Sequence, residues 1–368
     1  MRKNELNVRH RALGSDLGGG AYNDMAVPWT YATDAFDEVA ATRNRIGLFD
    51  VSAVHTAIVS GPDADRVVDH LVSCDCLSMA PGTGQVGSEL DDAGRIVDDI
   101  IVQRDAADTF RLCHGGGATP ANLLASAEGR NVQVRWDDDV NLIAVQGPRT
   151  RAALQPHCSL DLSRLKWFDH AEAKLFGRDV RIFLGGFTGE YGVEIYCRSA
   201  DALHIWDAVV EAGEVHGLMP GSWTALNALR IESGLLFYPL DMPEGDTTPW
   251  EVGMGWTVST KGEYRGKQAV LAAKGKERFK HGGIWVKHKA AVEPGARILL
   301  DGQDVGIVTS PSYSQHLMQS IALAHLQPAA QAIGTAIQVR NPDGSVFDGK
   351  VVRCPFYDPM RVRASGGN

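Results

Sequence analysis

Near Gly275 the chain changes texture. Before it, apolar strands alternate with amphipathic helices. After a cluster of Lys and Gly at 274–280, short strands alternate with Gly, Pro and Asp turns: Ile298–Leu300, Asp304–Val308, Thr335–Arg340 and Lys350–Arg353. Short strands punctuated this way belong to small antiparallel barrels. The boundary falls near residue 278, which leaves a mixed α+β region over 1–278 and a small β-barrel over 279–368. A length of 368 residues fits two or three domains.

Within the first region the periodicity reads clearly in places. Asp34–Asn44 is expected as a helix with Phe36, Val39 and Ala40 inside. His55–Ser60 alternates as a strand. Gly61-Pro62 then opens a helix whose first turn carries Asp63 and Asp65 and whose stripe is Val67, Val68 and Leu71. Asp91–Gly94 is a turn, followed by a strand over Ile96–Gln103. Further strands are expected at Asn141–Val145, Val180–Leu184 and Val193–Cys197. One helix presents Ile205, Trp206, Val209 and Val210, and a second covers Thr224–Leu236. Gly18-Gly19-Gly20 has neither the strand before it nor the helix after it that a phosphate loop needs, and reads as flexible chain.

Charge and composition exclude several classes. The formal net charge is −9 and no Lys/Arg block stands out, so a nucleic-acid partner is not expected. No run reaches the ~18 apolar residues of a membrane span. No apolar stretch follows the first residues, as a secretory signal would require, so a cytoplasmic protein is expected. Of six cysteines only Cys74 and Cys76 are close, without a second pair at metal-site spacing. No metal site is expected, and Gly-x-Ser-x-Gly is absent.

Four stretches could carry chemistry. In Gly94–Val102, Asp98 and Asp99 interrupt an apolar strand. Neighbouring strand residues point to opposite faces, so the two carboxylates cannot serve one site directly. In Phe187–Ile195, Gly189 and Gly192 permit a tight bend. Glu194 then sits between Val193 and Ile195. A buried carboxylate facing two parallel N–H groups makes a strong two-point contact, and the amino and N3–H edge of a pterin offers such a pair. A Glu paired with a core Arg is the other reading. In Ala228–Gly234, Arg230 and Glu232 are too close along a helix to face each other. In Pro249–Trp256, either indole could stack on a flat ligand or pack in a core.

Taken together and in order, these stretches resemble the glycine cleavage T-protein family of aminomethyltransferases. Leu48–Ser52, Gly61–Ala64, Gly94–Val102, Val145–Pro148, Thr188–Ile195, Leu229–Gly234 and Pro249–Trp256 carry the resemblance. It implies an α+β fold of three domains, two intertwined within 1–278 and the barrel last, around a central folate site. It also implies that tetrahydrofolate accepts the one-carbon unit, that Glu194 holds the pterin, and that one of Asp98 and Asp99 sits near the reacting nitrogen. Asp99 is preferred, because more divergent relatives resembling dimethylsulfoniopropionate demethylase keep the second Asp. The other expected folate contacts are Arg230, Phe187, Tyr191 and Trp256.

The departures from the family pattern lie on the donor side. Where the T-protein has Val-Asn-Ala-x-Asn, this chain has Leu112-Cys113-His114-Gly115-Gly116-Gly117. An Arg of the family pattern is Leu226, and its Ser-His-Met is Ser52-Ala53-Val54, with His55 one place on. The resemblance therefore points to a demethylase with a small-molecule methyl donor and no lipoyl-protein partner, yielding 5-methyltetrahydrofolate. Tyr22, Trp29, Tyr31, His55 and His114 suggest a methoxylated aromatic acid as donor, with Tyr31 or His55 bonding the ether oxygen as catalytic acid. The alternatives are a glycine-cleavage aminomethyltransferase, a sulfonium or N-methyl demethylase, and a non-catalytic folate-binding assembly factor.

Overall fold

The computed structural model describes residues 2–366. Besides a two-stranded ribbon of Ala21–Tyr22 and Met25–Ala26, the described residues build three larger β-structures. A six-stranded sheet runs, in spatial order, His170–Leu175, Arg178–Leu184, Gly192–Cys197, Asn141–Gln146, Ile46–Asp50 and Leu218–Pro220. All its neighbouring pairs are antiparallel except the last. A five-stranded antiparallel sheet runs Thr83–Leu90, Ile96–Ala106, Thr109–His114, His55–Ser60 and Gln133–Trp136. Six further strands between Lys280 and Val352 close into a barrel.

Strand alternation decides which side chains can reach a site. Val193, Ile195 and Cys197 enter the main core, so Glu194 and Tyr196 face the other way. Ile100 and Val102 enter the core of the five-stranded sheet, so Asp99 and Ile101 turn from it. The bend before Glu194 depends on two glycines. Gly189 has φ +78°, and a Cβ on Gly192 would lie 2.4 Å from the Gln146 amide nitrogen.

Several expectations need correction. The helix Ala35–Asn44 forms, with the Asp34 side chain accepting from the Phe36 N–H, but Phe36 and Ala40 are exposed. Its inward face is Glu38, Val39, Ala41, Thr42 and Arg43, because partners elsewhere neutralise the two charges. The Ser222 N–H and hydroxyl donate to Glu38, at 2.8 and 2.6 Å. Arg43 pairs with Glu190 at 3.0 Å and with Glu232 at 2.7 Å. The second long helix, Trp223–Glu232, stops short of Leu236. Gly234 takes φ +60° and the Leu235 N–H returns to the Arg230 carbonyl, a helix-ending arrangement. Gly19 is not loose chain but is seated on the Trp29 ring. In the barrel, the strand expected at Asp304–Val308 runs from Gln303 to Ser314. Lys280–Val286 and Gln319–Leu326 are strands the turn pattern did not reveal.

Candidate active site

Between the two sheets lies a cavity of about 330 Å³. The six-stranded sheet contributes Glu194 and Tyr196, and the five-stranded sheet contributes Asp99, Ile101 and His114. Trp223, Leu226, Asn227 and Arg230 come from the helix Trp223–Glu232, and Phe237 and Tyr238 from the loop beyond it. Tyr22 and Trp29 close the wall from the N-terminal segment. The rings form a contiguous, tilted run. Trp29 meets Trp223 at 5.7 Å, Trp223 meets Tyr22 at 5.6 Å, and Tyr22 meets Phe237 at 5.2 Å between centroids.

Two carboxyls interrupt this apolar wall. Glu194 is 9% exposed and, among the described residues, no protein group donates to it. Burial alone pushes its carboxyl up to about 7. Asp99 likewise has no hydrogen-bond partner from another residue. Burial and the charge of Asp98 push it up. Asp98 lies behind the strand, fully buried, where it accepts from the Thr119 hydroxyl at 2.7 Å and from the N–H groups of Asp99, Gly115 and Gly116. It does not line the cavity, so its place is in the scaffold, not on a folate.

The cations near the cavity are occupied. Arg230 lies on the wall, but its guanidinium is 1% exposed and engaged through four of its five N–H groups. It donates to the Asn227 side-chain oxygen at 2.9 Å, the Leu235 carbonyl at 3.2 Å, Ser310 at 2.8 Å, and Asp241. One Nη2 N–H has no partner among the described residues, so Arg230 ties the helix to the barrel and keeps a single donor. Glu232 is also structural: it binds Arg43 and accepts from the Ser314 hydroxyl at 2.5 Å. His114 lines the cavity with Nδ1 accepting from the Gly116 N–H and Nε2 unpartnered. Burial lowers its imidazole to about 4, so it is neutral near pH 7.

Tyr22, Trp29, Asp99, His114, Phe187 and Glu194 thus come together on one cavity. Tyr31, His55, Tyr191 and Trp256 do not. Tyr31 is bonded at 2.9 Å to Nδ1 of His10, whose Nε2 meets Asp50 at 2.8 Å in a buried chain of contacts. His55 stacks behind His114 at 5.3 Å, and its Nδ1 accepts from Arg2 at 2.7 Å. Tyr191 belongs to the main core, with Arg151 over its ring. Trp256 is 70% exposed and stacks on nothing in the cavity.

Tyr196, Trp223, Asn227, Phe237 and Tyr238 were not anticipated. Tyr196 follows Glu194 by two residues in a strand, and Trp223, Asn227 and Arg230 recur at helical spacing, so periodicity could have found them. Phe237 and Tyr238 lie in irregular chain and leave no such signal.

Comparison with known proteins agrees with this architecture. The GCVT N-terminal domain matches residues 6–262, and the glycine cleavage T-protein C-terminal barrel domain matches residues 283–358. The chain belongs to the glycine cleavage T-protein family. A crystal structure of glycine cleavage system aminomethyltransferase T from Bartonella henselae matches with a TM-score of 0.88 and 26% identity, covering 98% of this chain and 99% of that one. A heme-dependent oxidative N-demethylase gamma subunit of Ectopseudomonas mendocina is 38% identical, over 98% of this chain and 97% of that protein. An aminomethyltransferase of Thermotoga neapolitana is 32% identical, over 97% and 98%. Among the described residues, no helix is long and apolar enough to cross a membrane. Nor does any group of three or more His, Cys, Asp or Glu among them converge on a point where a metal could bind.

Proposed function

We propose that this family member is a tetrahydrofolate-dependent one-carbon transferase whose donor is a small cation carrying the transferable carbon on nitrogen. The observation behind this reading is the pair of unpartnered carboxyls, Glu194 and Asp99, on a cavity wall whose one guanidinium, Arg230, is already paired with Asp241. Unpaired buried carboxyls are costly unless a ligand satisfies them. Glu194 fits the donor pair of a pterin edge, and Phe187 and Tyr196 offer it flat apolar surface.

Tetrahydrofolate, when bound, supplies the nucleophilic nitrogen. The chain's own residues would do the rest. Glu194 orients the pterin by accepting two hydrogen bonds. Asp99, raised by burial, accepts the proton displaced as the new bond to carbon forms. The rings of Tyr22, Trp29, Trp223 and Phe237 exclude water and offer their faces to a cation. The amine leaves with the electron pair of its broken bond to carbon.

A methoxylated aromatic acid, the donor expected from the sequence, suits this wall less well. Its carboxylate would meet Asp99 and Glu194, and the one guanidinium on the wall, Arg230, is already neutralised by Asp241. The ether-bonding candidates Tyr31 and His55 lie outside the cavity. The name of the 38% identical relative supports carbon drawn from nitrogen. The Thermotoga aminomethyltransferase supports it as well. Leu226 on the wall, in place of an Arg in the family pattern, favours a free small donor over a lipoyl carrier.

The test is an assay of purified protein with tetrahydrofolate and a panel of donors. The panel holds methylated amines, the iminium formed from formaldehyde and a secondary amine, dimethylsulfoniopropionate, methoxybenzoates and an aminomethylated lipoyl protein. Turnover of a nitrogen-bound donor is expected. A 5-methyl product would indicate transfer of a methyl group, and a 5,10-methylene product a carbon already oxidised. Turnover confined to methoxybenzoate would overturn the cationic donor, and absence of folate binding would overturn the whole reading.

A further inference from the structure

Behind Asp99, on the opposite face of its strand, the Thr119 hydroxyl lies between two carboxyl groups. Its oxygen is 2.5 Å from Glu89 and 2.7 Å from Asp98, and all three residues are fully buried. A threonine hydroxyl has one proton to donate. Two contacts this short each need a proton between the oxygens, so one of the two carboxyls must supply the second. The other donors decide which. Asp98 also accepts from three backbone N–H groups, whereas Glu89 has only the Asn122 amide, at 2.5 Å. The negative charge is better satisfied on Asp98, and the proton belongs on Glu89.

We propose that Glu89 is held as a neutral carboxylic acid donating to Thr119, that Thr119 in turn fixes the negative charge on Asp98, and that this charge sets the basicity of Asp99 across the strand. Glu89 and Thr119 are then positioning residues, acting through Asp98 on the group that faces the cavity. The inference rests on the reading of Asp99 as the proton acceptor. Charged and titratable groups around the pair are Arg265, His114, Tyr22 and Tyr238, with Glu244 beside Tyr238. None of them is hydrogen-bonded to Glu89, and the nearest approach to Asp98 is His114 Nδ1, at 3.7 Å. A lone pair on that nitrogen already faces the Gly116 N–H, so it adds no proton to the cluster.

Two measurements test this. Carbon-detected NMR of the side-chain carboxyls of ligand-free protein should show Glu89, assigned by its loss in Glu89→Gln, as a protonated acid at neutral pH. Separately, Thr119→Val removes one of the four donors that hold the charge on Asp98. Asp98 then keeps its proton to higher pH, Asp99 feels less of a like charge, and the acid limb of kcat/KM should move down by up to about one pH unit. Thr119→Ser should restore it, which a merely structural role would not require. Glu89 ionised at neutral pH would overturn the proposal, as would a Thr119→Val enzyme with the acid limb of the wild type. The NMR measurement needs neither folate turnover nor a folded Thr119 variant, so it decides the protonation of Glu89 even if the transferase reading fails.

Discussion

Glu194→Gln should stabilise the ligand-free protein and weaken its hold on folate. The carboxyl sits 9% exposed with no protein partner, and burial raises it from an ordinary value of 4.5 to about 7. At about 1.4 kcal/mol per pH unit, ionising it in the folded protein costs on the order of 3 kcal/mol. The sign follows from linkage. Between the unfolded and folded values the unfolded chain has lost its proton and the folded one has not, so stability falls as pH rises through that window and is flat above it. The amide carries no such penalty. Glu194→Gln should therefore melt a few degrees higher than wild type above pH 7 and show little gain below pH 4.5. Folate affinity moves the other way. The amide accepts one hydrogen bond and presents a donor to the second, so about 1.5–3 kcal/mol of binding is lost, roughly a tenfold to hundredfold rise in Kd. Thermal melts at both pH values with calorimetric folate titration check both arms. Unchanged folate affinity with the fold intact would refute the assignment of Glu194. A melting gain equal at both pH values would refute the argument from its charge.

Asp99→Asn should lower turnover far more than it weakens folate binding. Asp98→Asn should lower the melting temperature, by the equivalent of about 1–3 kcal/mol, since its amide cannot accept from all four donors, and should move the acid limb of kcat/KM down, because Asp99 loses its like-charged neighbour, while sparing turnover above that limb. Turnover and melts of both variants separate the two roles. Arg230→Met strands the buried carboxylate of Asp241 and should destabilise by about 3–5 kcal/mol, read from denaturant unfolding. Trp256→Ala, at an exposed position, should leave both folate affinity and melting temperature where they are.

Periodicity carried much of this protein. The alternation of strand residues is local, so the sequence alone separated Asp98 from Asp99 and marked Glu194 as a carboxylate among apolar neighbours. The Lys/Gly cluster followed by closely spaced turns signalled a barrel, and the ordered motifs were enough for the family. What periodicity could not express was pairing at a distance. Arg43 lies 147 residues from Glu190 and 189 from Glu232, and their contacts turned a helix face that looked polar inward. Arg230 looked available for a ligand until Asp241, on the loop, neutralised it and Ser310, on the barrel, took a further donor. The same holds for Tyr31 and His55: their chemistry suited a substrate, but His10 and Arg2 had already satisfied it. A hydrogen-bonding group serves a site only if the fold leaves it unsatisfied there, and that depends on partners that only the folded chain brings near.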